Sequence, residues 1–296
     1  MASTKEIQKR MRSIKDTMKI TNAMYMISSS KLRGAKKQLE DTEPYFYLLQ
    51  ASFSRFLRHI PGSDSIYIHP KNDKKEEEIQ RGYIIVTADK GMAGAYNHNV
   101  FKMAHAIMKQ SPNNHLFVVG ELGRHHFAKE AVDVDTQFHY TVQNPTLSRA
   151  RTISERVLSL YEDDKLDEIY IIYTRMINAM SMDVEFERLL PLHMESLLKN
   201  KHEVYADDWT AYPSWEHLLN HMVPNYMAGV IYGALVESYA SEQTARMTAM
   251  ESATKSAKDM LQLLMVDYNR LRQAVITQEL TEVVSGAKAQ KRKKKR

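Results

Sequence analysis

Ala240–Ala289 reads ASEQTARMTAMESATKSAKDMLQLLMVDYNRLRQAVITQELTEVVSGAKA. The stretch contains no proline, and its single glycine is Gly286. Ala, Met, Leu, Gln, Glu, Lys and Arg dominate it, all good helix formers. Met247, Met250, Thr254, Ala257, Leu261, Leu264, Tyr268, Leu271 and Val275 alternate steps of three and four, the seam of a coiled coil. A helix starting near Trp215 would run for ~70 residues, or roughly 105 Å at 1.5 Å per residue. No compact domain is that wide, so the helix must extend beyond its domain and needs a partner along its length.

The partner stands at the other end of the chain. Ser3 and Glu6 form a capping box. Ile7, Met11, Ile14, Met18, Thr21, Tyr25, Ser28, Leu32, Ala35 and Leu39 then repeat the three-four spacing. Two seams at opposite ends of one chain predict an antiparallel pair closed by whatever lies between. Thr21 and Ser28 allow close approach but bury little area, so the pair is expected to be marginal alone and sheathed by other proteins. Pro44 should loosen the first helix, which resumes to Arg58 and stops at Pro61-Gly62. Beyond Val275 the seam turns polar at Gln278 and Glu282. Asn269, Arg270, Arg272, Gln273, Thr277 and Gln278 give this end a donor- and acceptor-rich surface. It reads either as a solvated face or as a tip that touches another protein.

Between the helices, Ser63–Gln80 is polar and reads as a surface loop. Tyr83–Thr87 (YIIVT), Leu116–Val119 and Glu168–Thr174 (EIYIIYT) are β-branched runs alternating with helical segments at Val100–Lys109 and Ser148–Tyr161. That alternation predicts a parallel sheet with crossover helices. GELGRHHF reads as a turn entering another element and Met182–Leu190 as an edge strand. The fold class is therefore α/β: a long antiparallel coiled coil of the N- and C-terminal helices plus a central Rossmann-like α/β domain. The expected divisions are a helix over 1–60, an α/β domain over 81–190, an irregular connection over 191–214, a helix over 215–289 and a disordered basic tail over 290–296.

Composition excludes several functions. With no cysteine among 296 residues there is neither a disulfide scaffold nor a thiol nucleophile. No run of eighteen apolar residues exists to span a membrane. The start lacks a secretory h-region, and its helical seam begins at Ile7, which reads as a bacterial-type mature start. The net charge of +5 is concentrated in Lys291–Arg296; taking those six from +5 leaves −1 for the rest, so no nucleic-acid-binding face is evident. ADKGMAGAYN (Ala88–Asn97) follows a strand where α/β folds bind phosphates, yet it lacks G-x-G-x-x-G, and no P-loop occurs. His217 and His221 share a helix face without the H-E-x-x-H order or a third ligand. His125-His126 reads as a surface turn. No catalytic, cofactor-binding or metal-ligating constellation is legible.

YNRLRQAVITQELTEVVSGA (Tyr268–Ala287) and SEQTARMTAMESAT (Ser241–Thr254) closely resemble the C-terminal helix of the γ subunit of F-type ATP synthases. ITNAMYMISSSKLRGA (Ile20–Ala35) matches that family at Ile20-Thr21, Ala23-Met24, Met26-Ile27-Ser28 and Ser30-Lys31. Asp89, Lys90, Gly91, Gly94 and Asn97 match its segment after the first strand, which is structural there, and DEIYIIY matches in the right order. The resemblance implies a coiled-coil rotor shaft inside a ring of three α and three β subunits, with an α/β foot on the membrane c-ring and the ε subunit as a further partner. Proton-driven rotation would couple to ATP synthesis or hydrolysis on β, with nucleotide and Mg held by α and β and none by this chain. The place implied is the cytoplasmic face of a bacterial plasma membrane, as a peripheral protein. Contacts toward β would lie on Met24, Asn269, Arg270, Arg272, Gln273, Thr277 and Gln278. Lys31, Glu242, Tyr205, Asp207 and Asp208 would lie on the foot side. KRKKKR departs from the family's usual ending. The alternatives are a coiled-coil scaffold with an α/β head and a polyanion-binding basic tail, or a nucleotide-binding enzyme built on the central domain.

Overall fold

A computed structural model describes residues 4–59, 65–68, 74–130, 132–178, 181–192, 212 and 214–293. Two long helices frame the chain. Helix α1 runs Thr4–His59 and passes through Pro44. Pro44 lacks its N–H and its ring crowds the carbonyl four residues earlier, yet the ladder on either side carries the helix through. Ser3, the expected cap, lies outside the described residues. The last helix, α5, runs Trp215–Lys293 as 79 residues and contains Pro224. It continues past the boundary expected at 289, so Gln290–Lys293 are helical rather than disordered. Ala, Gln and Lys favour helix, and cations suit a helix carboxyl end. Residues 294–296 lie outside the described residues.

The chain divides into two compact units: Met1–Ile27 with Met247–Arg296, and Ser28–Arg246. In the first, α1 and α5 pair antiparallel. Gln8 Nε2 donates to Tyr268 Oη at 2.8 Å, and the Thr21 and Thr254 hydroxyls bond at 2.7 Å. Ile7 and Thr21 are buried and Met11, Ile14, Met18 and Tyr25 half-buried; on α5, Thr254, Ala257, Leu261, Leu264, Tyr268 and Leu271 are half-buried. The three-four seam is therefore the contact line. It ends at Leu271, because Val275, which the spacing placed on the seam, is 43 % exposed.

The second unit holds a five-stranded sheet in the order β3-β2-β1-β4-β5. Strands β1 (Arg81–Val86), β2 (Asn114–Val119), β3 (Asp133–Val134) and β4 (Glu168–Met176) are parallel. Strand β5 (Met182–Leu190) closes one edge antiparallel to β4. Tyr83, Ile84, Ile85 and Val86 of the central strand are all buried, as a parallel strand covered on both faces requires. Helices α2 (Tyr96–Met108), α3 (Glu121–Phe127) and α4 (Leu147–Glu162) are the remaining elements of the crossovers. Val100, Ala104 and Phe127 pack with Tyr83, Ile85, Leu116, Val118 and Ile172 in one core. Buried Ala150, Ile153, Val157 and Tyr161 form the inner face of α4.

In GELGRHHF the turn is confined to Gly120, and the element it enters, α3, already begins at Glu121. Gly120, at φ 96°, ends β2, and a Cβ there would stand 2.2 Å from Thr87 O. Gly123 donates its N–H to Thr87 Oγ1 at 3.1 Å. The two glycines let α3 begin directly against β1. Strand β3, two residues long, is too short to carry a periodic signal. The long helices also belong to this unit: Phe53 stacks on Tyr226 at 4.3 Å, and Gln38 Nε2 donates to Tyr232 Oη at 2.8 Å.

Candidate functional site

Two features of the fold bear on the expected contacts. The first is the end of α5. Helix α1 starts at Thr4 and Gln8 faces Tyr268, so no described residue of α1 stands opposite Gln273–Lys293. Arg272–Lys288 are exposed without exception. Asn269 and Arg270, just before them, are exposed as well, as are Gln273, Thr277 and Gln278. Their side chains make local contacts at most: Thr277 donates to Gln273 O at 2.9 Å and Gln278 to Glu282 Oε1 at 3.0 Å. Met24, on α1 in the same unit, is half-buried.

This end also carries large apolar side chains in water. Val275, Ile276, Leu280, Val283 and Val284 are 43–70 % exposed. Ile276, Leu280, Val283 and Val284 fall on one helical face, about half a turn away from the seam at 100° per residue. Exposed apolar stripes of this kind mark surfaces that another molecule covers. The sequence reading named the polar residues here and missed these four. The i, i+4, i+7, i+8 spacing that reveals them is legible in the sequence, but it lies off the seam being followed. Ile20, Met26, Ile27, Leu263, Met265 and Val266 add exposed apolar surface on the paired part.

The second feature is an ion pair inside the α/β unit. Glu242 and Arg246 sit one turn apart on α5, both buried, with Arg246 Nη1 2.6 Å from Glu242 Oε1. Arg246 also donates to Lys90 O at 2.8 Å and Gly91 O at 3.2 Å. Burial pushes the Glu242 carboxyl above its ordinary range, and the Arg246 guanidinium opposes that rise. The Ala88–Asn97 turn is thus tied to α5. Within the turn, Ala88 N–H donates to Asn97 Oδ1, and Asp89 accepts from the Glu121 N–H and the Thr141 hydroxyl. Gly94 and Met92 take positive φ, 57° and 64°, to make the turn. A phosphate cradle needs free N–H groups aimed outward. This turn instead offers its carbonyls inward to an arginine. A cleft lined by Gln80, Asn114, His115, Asp133 and Lys165 opens at the amino ends of the strands, opposite to where such sheets bind ligands.

Among the other expected residues, Lys31 is exposed. Glu242, read as a foot-side contact, is only 2 % exposed. One of its carboxylate oxygens is turned inward to Arg246, which favours the structural of the two roles, structural or c-ring-side, that its motif suggests. Tyr205, Asp207 and Asp208 lie outside the described residues. His217 and His221 stack edge-on at 4.6 Å. Among the described residues, no helix is long and apolar enough to cross a membrane.

A family model described as ATP synthase matches residues 3–290. The ATP synthase gamma chain of Acetivibrio thermocellus is 43 % identical over 297 residues, covering 98 % of this chain and all of the relative. The chain belongs to the ATP synthase gamma chain family. The sodium-ion-specific ATP synthase gamma chain of Acetobacterium woodii is 34 % identical, covering 97 % of this chain and 98 % of that one. Among solved structures, a chain of the central stalk and c-ring of the Tetrahymena thermophila mitochondrial ATP synthase superposes with a TM-score of 0.57 at 25 % identity, covering 79 % of this chain and 99 % of that chain. Membership agrees with the fold: a long helix pair joined to an α/β unit with a mostly parallel sheet.

Proposed function

We propose that the chain is the central rotor shaft of an F-type ATP synthase, one copy turning inside a ring of three α and three β subunits. The observation that carries this reading is the unpaired end of α5, with its exposed apolar stripe beside Arg270, Arg272, Gln273, Thr277 and Gln278. Apolar side chains need a covering surface. Exposed polar side chains make hydrogen bonds that can be broken and remade as the helix turns. The chain has no chemistry of its own. Nucleotide and Mg are held by the α and β subunits, and this chain selects among β conformations by presenting a different side to each. A shaft orientation shifts β toward one state only through contacts that differ between states.

The α/β unit meets the membrane c-ring and the ε subunit at the cytoplasmic face of a bacterial plasma membrane. Protons are the proposed coupling ion. A sodium-specific relative makes the ion a direct question for the holoenzyme, and sodium dependence of ATP hydrolysis would replace the proton.

The test is a gentle pull-down of the tagged chain, with partner masses and stoichiometry read by native mass spectrometry. A single copy with three of each of two larger, nucleotide-loaded subunits is expected. A homodimer, or the chain alone with polyanion, would overturn the reading in favour of a scaffold. In the holoenzyme, replacing Arg270 and Gln273 by Ala should lower ion-coupled ATP synthesis more than it lowers assembly. Assembly lost together with ATPase activity would remove the claim that these residues act in torque.

A further inference from the structure

The two histidines at the end of α3 do not form a surface turn. His126 stacks on Phe101 of α2, and His105 of α2 meets it with the rings edge-on at 5.4 Å. Glu130, just beyond α3, closes the group. Its carboxylate oxygens stand 2.9 and 3.0 Å from His105 Nε2 and 3.5 Å from His126 Nε2. One ligand atom from each of the three residues lies within 4.8 Å of the others.

We propose that His105, His126 and Glu130 form a binding site for a divalent transition cation of the zinc class, pinning α2 to the segment after α3.

Three arguments support this. The donor set is two imidazole nitrogens and one carboxylate oxygen, the ligand types that Zn²⁺ takes together, with water free to fill a fourth position. Two of the three ligand–ligand spacings also fit. Two ligands each ~2.0–2.1 Å from a tetrahedral ion are roughly 3.3 Å apart, and the observed 2.9 and 3.5 Å to Glu130 bracket that value. The third argument is an unused lone polar atom. His126 Nε2 is buried and makes no hydrogen bond, its nearest carboxylate oxygen standing 3.5 Å away on Glu130, and a buried polar atom left without a hydrogen bond is costly. An ion seated between the three groups would satisfy it.

Packing holds the site in place before any ion arrives. The His126 ring lies flat on Phe101 at 3.9 Å, 10° from parallel. His105 is held against Phe127 at 5.7 Å, and Phe127 belongs to the core. Ligands fixed by core aromatic rings lose little freedom on binding. The ligands come from separate elements, so the ion would act as a cross-brace between two crossovers of the sheet. The His217–His221 pair is a weaker competitor, with no third ligand grouped with it among the described residues.

The experiment uses the full-length chain, stripped with chelator and titrated with Zn²⁺ by calorimetry, with thermal unfolding followed in parallel. One bound ion and a rise in unfolding temperature with excess Zn²⁺ are expected, because an ion that binds only the folded state stabilises by mass action. Glu130→Gln keeps the side-chain shape, and His105→Gln avoids the ring that packs on Phe101. Each should weaken binding at least tenfold and abolish the temperature rise, while unfolding without metal stays close to the parent. His217→Ala should bind as the parent does. The proposal is overturned if the parent binds no Zn²⁺ at 100-micromolar order, or if Glu130→Gln and His105→Gln bind as tightly as the parent. It is equally overturned if His217→Ala is the variant that loses the ion.

Discussion

Arg246 carries two tasks with one guanidinium. It neutralises a buried carboxylate on its own helix, and it accepts the geometry of a turn 155 residues earlier by donating to Gly91 O. Removing one member of a buried pair strands the other, which costs ~3–5 kcal/mol. Arg246→Ala should therefore lower the urea-unfolding free energy of the chain by about that much, and a loss under ~1 kcal/mol would mean the pair is not the link described. Glu242→Gln separates charge from shape. The Glu242 carboxyl is raised by burial, so on raising pH the unfolded chain loses this proton first. From the ordinary carboxylate range up to the raised native value, the group then lowers stability with rising pH. Glu242→Gln should remove that decline, as measured by urea midpoints across the acid range. Gly120→Ala is the sharpest steric test: at φ 96° with a Cβ 2.2 Å from Thr87 O, it should cost more than ~3 kcal/mol. Of these, the turn itself was legible, because Gly91, Gly94 and Asn97 announce one. Its anchor was not, since nothing local in ADKGMAGAYN points to an arginine in the last helix.

Helices and strands were read more easily than their junctions. The seams of α1 and α5 were legible because period carries over many residues, and the hydroxyl pair Thr21–Thr254 falls at a polar step in both. That pair invites a double-mutant cycle. Either Thr→Val alone leaves the other hydroxyl, on buried Thr21 or half-buried Thr254, with only its own helix carbonyl, Met18 O or Met250 O, and should cost ~1 kcal/mol, while the double Val variant should be close to neutral. Helix α3 was hidden because its seven residues contain a glycine and two histidines, a poor helix by propensity that tertiary packing overrides. The apolar face of the α5 end was hidden for a different reason: it lies off the seam whose period runs through the rest of the helix. Ile276→Ser with Leu280→Ser should leave the chain's own unfolding unchanged within ~0.5 kcal/mol, yet reduce co-purification with the larger subunits. Equal co-purification would mean that this stripe is not the covered face.

At the scale of the molecule, the fold class followed from an arrangement visible in the sequence: two seams at the ends and alternating strand and helix between. The division into units was not visible. The α/β unit takes in residues 28–246, so long stretches of both helices are structural parts of it. Ser241, Glu242, Gln243 and Thr244 are buried there. In a helix read only for coiled-coil period, such polar residues look like solvent face.

The pairing of Gln8 with Tyr268 also has a consequence in time. The two residues are 260 positions apart. On a ribosome adding ~5–20 residues per second, the first helix waits roughly 13–50 seconds for its partner to be made. Through that interval Ile7, Met11, Ile14 and Met18 have nothing of their own chain to lie against. Newborn copies should thus be most vulnerable to clumping before the last helix emerges. Chains stalled short of Met247 should be captured by holding chaperones more heavily than finished ones.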